Sequence, residues 1–457
     1  MKRFFLSFVF AFSLYNVYAQ NEKSHVQTIH TFLQQEYPKK EPGAVVLIAQ
    51  EGKIIFQKAY GLASIKPKRK MKKEMVFQIG SMSKQFVSAA ILQLVEAGKM
   101  ALTDTIQKYV PYYPSKKYPI TLHHLLSQTS GIPEYFDVDD NEFYLLSQEH
   151  TPKQLIDYYK TEPLIFKPGE KWSYSNSNYP LLGAALENVT GMSLKACLKA
   201  HIFDPLGMKA TGLWYREDTP KKQIVTGYNI KNGQLILAPK MVGSALYASG
   251  GIVSTTKDLF LWNTDFTAKK VLSDFIVHHL TTEKKTNDGK GTGYGYGFFL
   301  KKVNESATVQ HGGNLFGFTS YGMYLPNEAT FICVLSNTKF DRTEKISKYI
   351  ASVLLDNPIQ IFSKKEISKE QLKEYCGVYK LDSASLQRVF EIRLYDNELL
   401  LYDPKKPEAS ALLTPSEKDI FILKAASATI QFVRDKTSKI IGLTIKQKDE
   451  YHFKKIK

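Results

Sequence analysis

The spacing of hydrophobic residues in the first hundred positions predicts a short helix, a pair of strands and a longer helix. The short helix and the two strands are Val26–Gln35, Ala44–Ala49 and Lys53–Tyr60. The strands flank the triplet Gln50-Glu51-Gly52, which is typical of a hairpin turn. Apolar side chains then recur three and four positions apart across Ser83–Gly98, which predicts a helix that ends at its glycine.

The middle of the chain predicts helices and loops, and strand-like runs return only near residue 318. Residues 102 to 280 are rich in Pro, Tyr and Ser. Phe318–Leu325 and Thr330–Ser336 are strand-like, and Asp341–Leu355 has helical spacing. We therefore expect an antiparallel sheet built from both ends of this region and flanked by helices, with a large helical subdomain inserted between.

Beyond Pro358 the chain changes to short alternating runs separated by turn signals. This pattern predicts a small all-β barrel or sandwich, with strands at Val389–Leu394, Glu398–Tyr402, Ile420–Lys424, Thr429–Val433 and Ile440–Ile445. The predicted fold class is thus α/β, of the α+β type, followed by a small β-barrel. We expect a first domain at 20–357, a linker at 358–369 and the barrel domain at 370–457.

The composition is that of a globular protein. Hydrophobic residues make up 43% of the 457 positions and charged residues 23%, which excludes a disordered or fibrous chain. Three cysteines exclude a disulfide scaffold, and none has metal-ligand spacing.

The formal charge of +17 leaves three kinds of partner open: nucleic acid, an anionic surface or an acidic ligand. Part of the excess lies in residues 66–73, which form either a solvated loop or a basic lip near a substrate site.

The first nineteen residues have the pattern of a cleavable signal peptide. Lys2 and Arg3 precede an apolar run at Phe4–Leu14, and Val17-Tyr18-Ala19 has the small residues of a cleavage site. The run is shorter than the ~20 residues of a membrane-spanning helix, and no cysteine follows it to carry a lipid. A buried N-terminal helix is the alternative. We expect a periplasmic or secreted protein without stable membrane insertion, which argues against a nucleic-acid partner.

Ser81 and Lys84 are the first candidates for catalytic chemistry. They are three residues apart at the predicted start of a helix, so their side chains share one face. A Ser hydroxyl is a poor nucleophile unless a neighbour takes its proton. A half-buried Lys does so once desolvation lowers its pKa. The alternative is an ordinary capping Ser beside a solvated Lys.

Two later motifs carry further candidates. Tyr174 and Asn176 would place a phenol and an amide on one side of an extended loop. His311 begins the run His-Gly-Gly-Asn, whose glycines would let a substrate pair along a strand edge. Taken alone, such a Tyr is most often a packing residue, and such a His is most often structural.

In this order, Ser-x-x-Lys, Tyr-x-Asn and His-x-Gly resemble the motifs of the serine β-lactamase and penicillin-binding-protein superfamily. The branch that holds class C β-lactamases, D,D-carboxypeptidases and related esterases is the most similar. The sequence segments at residues 125–133, 248–255 and 294–298 also resemble those of this branch. The resemblance covers roughly residues 25 to 355, and the C-terminal region resembles a lipocalin-like module found on some of these proteins.

The resemblance implies a catalytic role for four residues. Ser81 would be the acylated nucleophile. Lys84 and Tyr174 would share the general-base and general-acid work, in a division that the sequence leaves open. His311 would lie beside Tyr174 and help to set its protonation.

The resemblance also implies three substrate-binding residues. Asn176 would contact the acyl-side amide of the substrate. The backbone N–H of Asn314, with that of Ser81, would form the oxyanion hole, and Gly313 would lie in the same substrate-binding stretch.

One departure bears on the substrate. Class C β-lactamases carry Lys at the position of His311, and a neutral imidazole attracts a carboxylate less strongly than an ammonium does. The resemblance therefore implies an exported serine hydrolase that forms an acyl-enzyme on an amide or ester, whether as a D,D-peptidase, a β-lactamase or an esterase. The alternative is a non-catalytic protein that binds cell-wall fragments. The expected partner is a small molecule or a peptidoglycan-type peptide, with no cofactor or metal implied and the oligomeric state open.

Overall fold

The computed structural model describes most of the chain, as two compact units. The described residues are 23–138, 142–214, 224–231, 234–338, 343–359, 368–381, 388–395, 398–405, 410–417, 419–423, 428–446 and 450–456. The predicted signal peptide lies outside them. The first unit comprises the described residues up to Lys231 and from Leu235 to Ile359, and the second comprises Gln234 and the described residues from Ser368 onward.

The helices α1 to α12 belong to the first unit and α13 to the second. They are 23–36 (α1), Lys84–Glu96 (α2), Leu122–Leu126 (α3), Glu142–Ser147 (α4), Pro152–Tyr159 (α5), Asn178–Thr190 (α6), Leu194–Leu198 (α7), Asp204–Leu206 (α8), Gly243–Gly250 (α9), Thr256–Ala268 (α10), Asp274–Thr281 (α11), Thr343–Leu354 (α12) and Lys369–Tyr375 (α13). Short 3₁₀ turns occur at Gly80–Ser83, Ile106–Lys108 and Tyr135–Asp137, and a π-helical turn at Lys199–Phe203.

The strands form one large sheet, three small ones and a barrel. They are Ala44–Gln50 (β1), Lys53–Tyr60 (β2), Leu62–Ser64 (β3), Arg69–Lys70 (β4), Phe77–Gln78 (β5), Gly212–Leu213 (β6), Tyr228–Lys231 (β7), Gln234–Leu237 (β8), Ile252–Ser254 (β9), Phe299–Val303 (β10), Ser306–Leu315 (β11), Phe318–Leu325 (β12), Thr330–Ser336 (β13), Gly377–Leu381 (β14), Val389–Tyr395 (β15), Glu398–Tyr402 (β16), Ala411–Glu417 (β17), Ile420–Leu423 (β18), Ala428–Arg434 (β19), Ile440–Lys446 (β20) and Glu450–Lys455 (β21).

The large sheet joins the two ends of the first unit. Its strand order is β10-β11-β12-β13-β1-β2, and every neighbouring pair is antiparallel. In the central pairing Val46 lies opposite Val334. The predicted fold class, an antiparallel sheet flanked by helices with a helical insertion and a small β-barrel after it, is confirmed.

Both faces of the sheet are buried, which explains why β1 and β13 are apolar along nearly their whole length. Alternate residues of β1 point to opposite sides, so Val45 belongs to one hydrophobic core and Val46 to the other. Helices α1 and α12 cover the second face, and α2 and α10 belong to the core of the first. Because α2 is surrounded by protein, the side chains at its N-terminus are withdrawn from water.

The second unit is a closed eight-stranded barrel of β14 to β21. Five of its predicted strands match observed ones within two residues at each end, and β14, β17 and β21 were not predicted. Aromatic side chains fill the interior: the Phe421 and Phe432 rings have centroids 5.4 Å apart, and those of Phe390 and Phe453 are also 5.4 Å apart. An eight-stranded barrel is just wide enough for such filling. Among the described residues, no helix is long and apolar enough to span a membrane.

Candidate active site

Ser81 lies in the 3₁₀ turn that precedes α2, and Lys84 is the first residue of that helix. The turn brings the Lys84 Nζ within 3.1 Å of the Ser81 Oγ. Gly80 has a φ of +53°, and a Cβ there would approach the Gly313 Cα to 3.2 Å. The glycine therefore allows the turn to lie directly against β11.

The Lys84 ammonium is completely buried and has a full set of polar partners. Besides Ser81, its Nζ donates to the Asn176 Oδ1 and to the Ser249 carbonyl oxygen, each at 2.7 Å. Burial lowers the pKa of Lys84 to about 7, and the negative charge of Glu134 acts in the opposite direction. The side chain is thus suited to gain and lose a proton near neutral pH.

Tyr174 lies beside this pair. The Lys84 Nζ is 5.0 Å from the centroid of its ring and 5.1 Å from that of Tyr179. Among the residues that the structure describes, no group reaches the Tyr174 hydroxyl at hydrogen-bonding geometry. Burial raises the pKa of Tyr174 well above its ordinary value, although interaction with the Ser81 side chain opposes this effect. The phenol therefore keeps its proton at neutral pH.

His311 lies on β11 and is only 3% exposed. Its Nδ1 donates to the Gly312 carbonyl oxygen at 2.6 Å, because a carbonyl only accepts, and its Nε2 is 3.5 Å from the Tyr294 hydroxyl. Its ring centroid is 6.1 Å from that of Tyr174, so the two rings are neighbours, as predicted. Burial, assisted by the positive charge of Lys84, lowers the pKa of His311 to about 3. The imidazole is thus neutral.

The end of β11 brings Gly313 and Asn314 to the turn that holds Ser81. A Cβ on Gly313 would lie 2.0 Å from the Ile79 carbonyl oxygen, so only glycine fits. That oxygen also accepts a hydrogen bond from the Ser320 Oγ at 2.7 Å. Asn314 and Ser81 line the same cavity, the arrangement that an oxyanion hole formed by their N–H groups requires.

The cavity next to Ser81 has a volume of about 160 Å³. Its polar lining comes from Ser81, Asn176, Ser249 and Asn314. The rest is apolar apart from the small Gly250, and consists of Phe136, Leu146, Met241, Leu246, Leu315 and Phe316. Among the described lining residues none carries a positive charge, and none belongs to the basic segment 66–73.

Three further residues of the site were not among the candidate residues named from the sequence. Ser249 contributes its carbonyl oxygen, which any residue would carry. Glu134 accepts hydrogen bonds from Asn176, and it directly follows the sequence segment 125–133. Gln128, within the segment 125–133, accepts from the Ser175 N–H at 2.9 Å and so holds the loop that carries Tyr174.

No metal site accompanies this arrangement in the described part of the chain, where no cluster of His, Cys, Asp or Glu is suited to hold an ion. The chemistry available to the described residues is that of a hydroxyl, an amine near its pKa and a phenol. Together these groups are sufficient for nucleophilic catalysis with proton transfer.

Comparison with known proteins found relatives in sequence and in fold. Penicillin-binding protein 4* of Bacillus subtilis is 27% identical over 440 residues, covering 90% of this chain and 94% of that protein. The octameric penicillin-binding protein homologue from Pyrococcus abyssi has a TM-score of 0.70 at 24% identity, covering 94% of this chain and 100% of that one. D-amino acid amidase from Ochrobactrum anthropi has a TM-score of 0.64 at 20% identity, covering 73% and 99%. The Beta-lactamase family model matches residues 30–355, and the chain belongs to this family.

Proposed function

We propose that this protein is an exported serine hydrolase that forms an acyl-enzyme on uncharged amides or esters. The observation that carries the proposal is the buried contact between the Ser81 hydroxyl and the Lys84 amine, whose pKa is about 7. A buried amine near its pKa is the base that a serine nucleophile needs. The export signal at residues 1–19 is part of the proposal and rests on the sequence alone.

The proton path follows from the protonation states. Neutral Lys84 takes the Ser81 proton as the oxygen attacks the carbonyl carbon, and the N–H groups of Ser81 and Asn314 bind the oxyanion. Tyr174 enters the step as a phenol, so it donates its proton to the departing amine or alkoxide. The proton on Lys84 then returns to the phenolate, and water repeats the sequence on the acyl-enzyme.

The charge of the site favours a neutral substrate. A carboxylate on a D,D-peptide or a β-lactam would meet a neutral imidazole at His311 and a cavity whose described lining has no cation. The apolar residues of the lining favour a hydrophobic acyl group instead.

The alternative is a protein that binds cell-wall fragments without turning them over. The intact contact of Lys84 with Ser81 argues against it, because a non-catalytic binder has no use for a buried amine of lowered pKa. The two functions differ in whether Ser81 becomes covalently modified.

A labelling experiment followed by a substrate panel tests the proposal. A fluorophosphonate probe is expected to label the wild type and to leave Ser81→Ala unlabelled. The panel compares N-acetyl-D-phenylalanine amide, which carries no charge, with a p-nitrophenyl ester, nitrocefin and a D-Ala-D-Ala peptide, and the first two are expected to have the largest kcat/KM. Absence of a wild-type adduct would support the binder, and a preference for the last two would overturn the assigned substrate class.

A further inference from the structure

A carboxylate lies behind the candidate catalytic pair and contacts neither the nucleophile nor the cavity. The Glu134 Oε2 accepts hydrogen bonds from both the backbone N–H and the side-chain Nδ2 of Asn176, at 2.7 and 3.0 Å. Its Oε1 accepts from the Phe136 N–H at 3.3 Å. The preceding residue is tied to the same loop, since the Pro133 carbonyl oxygen accepts from the Ser177 Oγ at 2.6 Å.

This contact determines which way the Asn176 amide faces. An ionised carboxylate only accepts hydrogen bonds, so the amide must turn its NH₂ group toward Glu134. The amide oxygen is then forced toward Lys84, whose Nζ it meets at 2.7 Å. With the opposite orientation, two N–H donors would face the amine.

The orientation of the amide in turn directs the lone pair of the amine. A neutral lysine has two N–H bonds and one lone pair. The Asn176 Oδ1 and the Ser249 carbonyl oxygen accept only, so together they take both N–H bonds. The third direction points at the Ser81 Oγ, 3.1 Å away, and the lone pair is therefore aimed at the hydroxyl proton.

We infer that Glu134 is a positioning residue that, by fixing the Asn176 amide, aims the Lys84 lone pair at the Ser81 hydroxyl. The inference rests on the proposed function and deepens it, because it assigns the proton transfer in acylation to Lys84 rather than to Tyr174. Glu134 acts through Asn176 and touches no reacting atom.

The charge of Glu134 provides a readout that packing alone would not change. The titratable groups that face Lys84 are Glu134, Tyr174, Tyr179 and His311. At neutral pH the two phenols and the imidazole are uncharged. Burial raises the pKa of Glu134 above its ordinary value, but the hydrogen bonds that it accepts from Asn176 and from the Phe136 N–H favour the carboxylate, which is the form that acts on Lys84 as an anion. Its charge raises the pKa of Lys84, against the larger effect of burial. Removal of that charge should therefore lower the pKa of the amine further.

The test is Glu134→Gln in the full chain, with the neutral ester or amide that the wild type turns over best. We expect kcat to fall roughly 10- to 100-fold, which corresponds to the loss of a hydrogen bond to a charged group. KM should change little, because Glu134 does not line the cavity. The acid limb of the kcat/KM profile should move to lower pH, and Glu134→Asp, which keeps the charge, should return the limb toward its wild-type position.

Glu187→Gln is the matched control. The Glu187 carboxylate accepts the Leu194 N–H at 2.7 Å, away from the site, and its loss should leave both kcat and the limb unchanged. Wild-type kcat in Glu134→Gln, or a fall in kcat with an unmoved limb, would overturn the inference. The limb position is independent of the amount of folded enzyme, so partial unfolding does not obscure it. Wild-type protein that turns over no substrate would instead refute the proposed function.

Discussion

The protonation state of Lys84 should control the rate of acylation, and pH is the simplest way to vary it. The pKa of about 7 means that half of the amine is neutral at pH 7. About one tenth is neutral at pH 6, about one hundredth at pH 5 and about nine tenths at pH 8. Since only the neutral amine accepts the Ser81 proton, kcat/KM should fall about tenfold per pH unit below 7 and level off above 8.

The assay is kcat/KM for an uncharged ester or amide between pH 5 and 9, with the rate of fluorophosphonate labelling measured in parallel. An uncharged substrate contributes no titration of its own, so the limb belongs to the enzyme. His311, with a pKa of about 3, titrates outside this range, and His311→Gln should therefore keep the limb in place. A flat profile between pH 6 and 8, or a limb that disappears in His311→Gln, would refute the assignment of the base to Lys84.

Three further substitutions test other parts of the structure. Gly313→Ala would place a Cβ 2.0 Å from the Ile79 carbonyl oxygen, so it should lower the free energy of unfolding by about 1–3 kcal/mol and abolish most probe labelling. Gly212→Ala has open space around its Cβ and should change neither quantity. Equal behaviour of the two variants would contradict the steric argument. Tyr174→Phe should lower kcat by about 10²- to 10⁴-fold for amides. The loss should be much smaller for p-nitrophenyl esters, because their leaving group departs unprotonated. Equal losses for the two substrates would argue against Tyr174 as the proton donor. Phe421→Ala should cost the barrel about 3–5 kcal/mol in urea unfolding, and a loss under 1 kcal/mol would show that its interior is loosely filled.

The fold was most predictable at the strands and the helix that are buried along most of their length. The observed bounds of β12 and β13 are those predicted from the sequence, because both strands are buried over nearly their whole length. Helix α2 begins at Lys84 and ends at Glu96, within two residues of its predicted ends. Gly98 has a φ of +70°, as expected of a residue that ends a helix.

Strand β11 shows why other elements escaped prediction. Its buried positions include Gln310 and His311, and two glycines follow them, so no apolar alternation marks the strand. Gly313 is required by the close approach of the turn before α2, and a Cβ on Gly312 would meet the Tyr321 ring; neither tertiary contact is visible in the local sequence. The neighbouring strand β10 has two exposed lysines and was missed as well.

The candidate site was likewise predictable only in part. Ser81, Lys84 and Tyr174 are brought together, with Ser81 on the cavity, and the roles of the motif residues stay predictions. Glu134 acts through the side chain of another residue, and Ser249 acts through its backbone. Neither has a spacing rule, because their positions depend on how distant loops pack. The expected export signal lies outside the described residues and stays a prediction.

The two tyrosine rings beside Lys84 affect the free energy needed to protonate the amine in each catalytic cycle. A base that rests uncharged must become a cation whenever it takes a proton, and a buried site resists that change. Further hydrogen-bond acceptors would stabilise the cation, but they would also compete for the two N–H bonds of the neutral amine and could turn its lone pair away from Ser81. The faces of Tyr174 and Tyr179 attract positive charge without accepting a hydrogen bond in any fixed direction, with up to about 2 kcal/mol from each desolvated contact. The rings thus lower the energy of the charged state while leaving the amine free to point at its target.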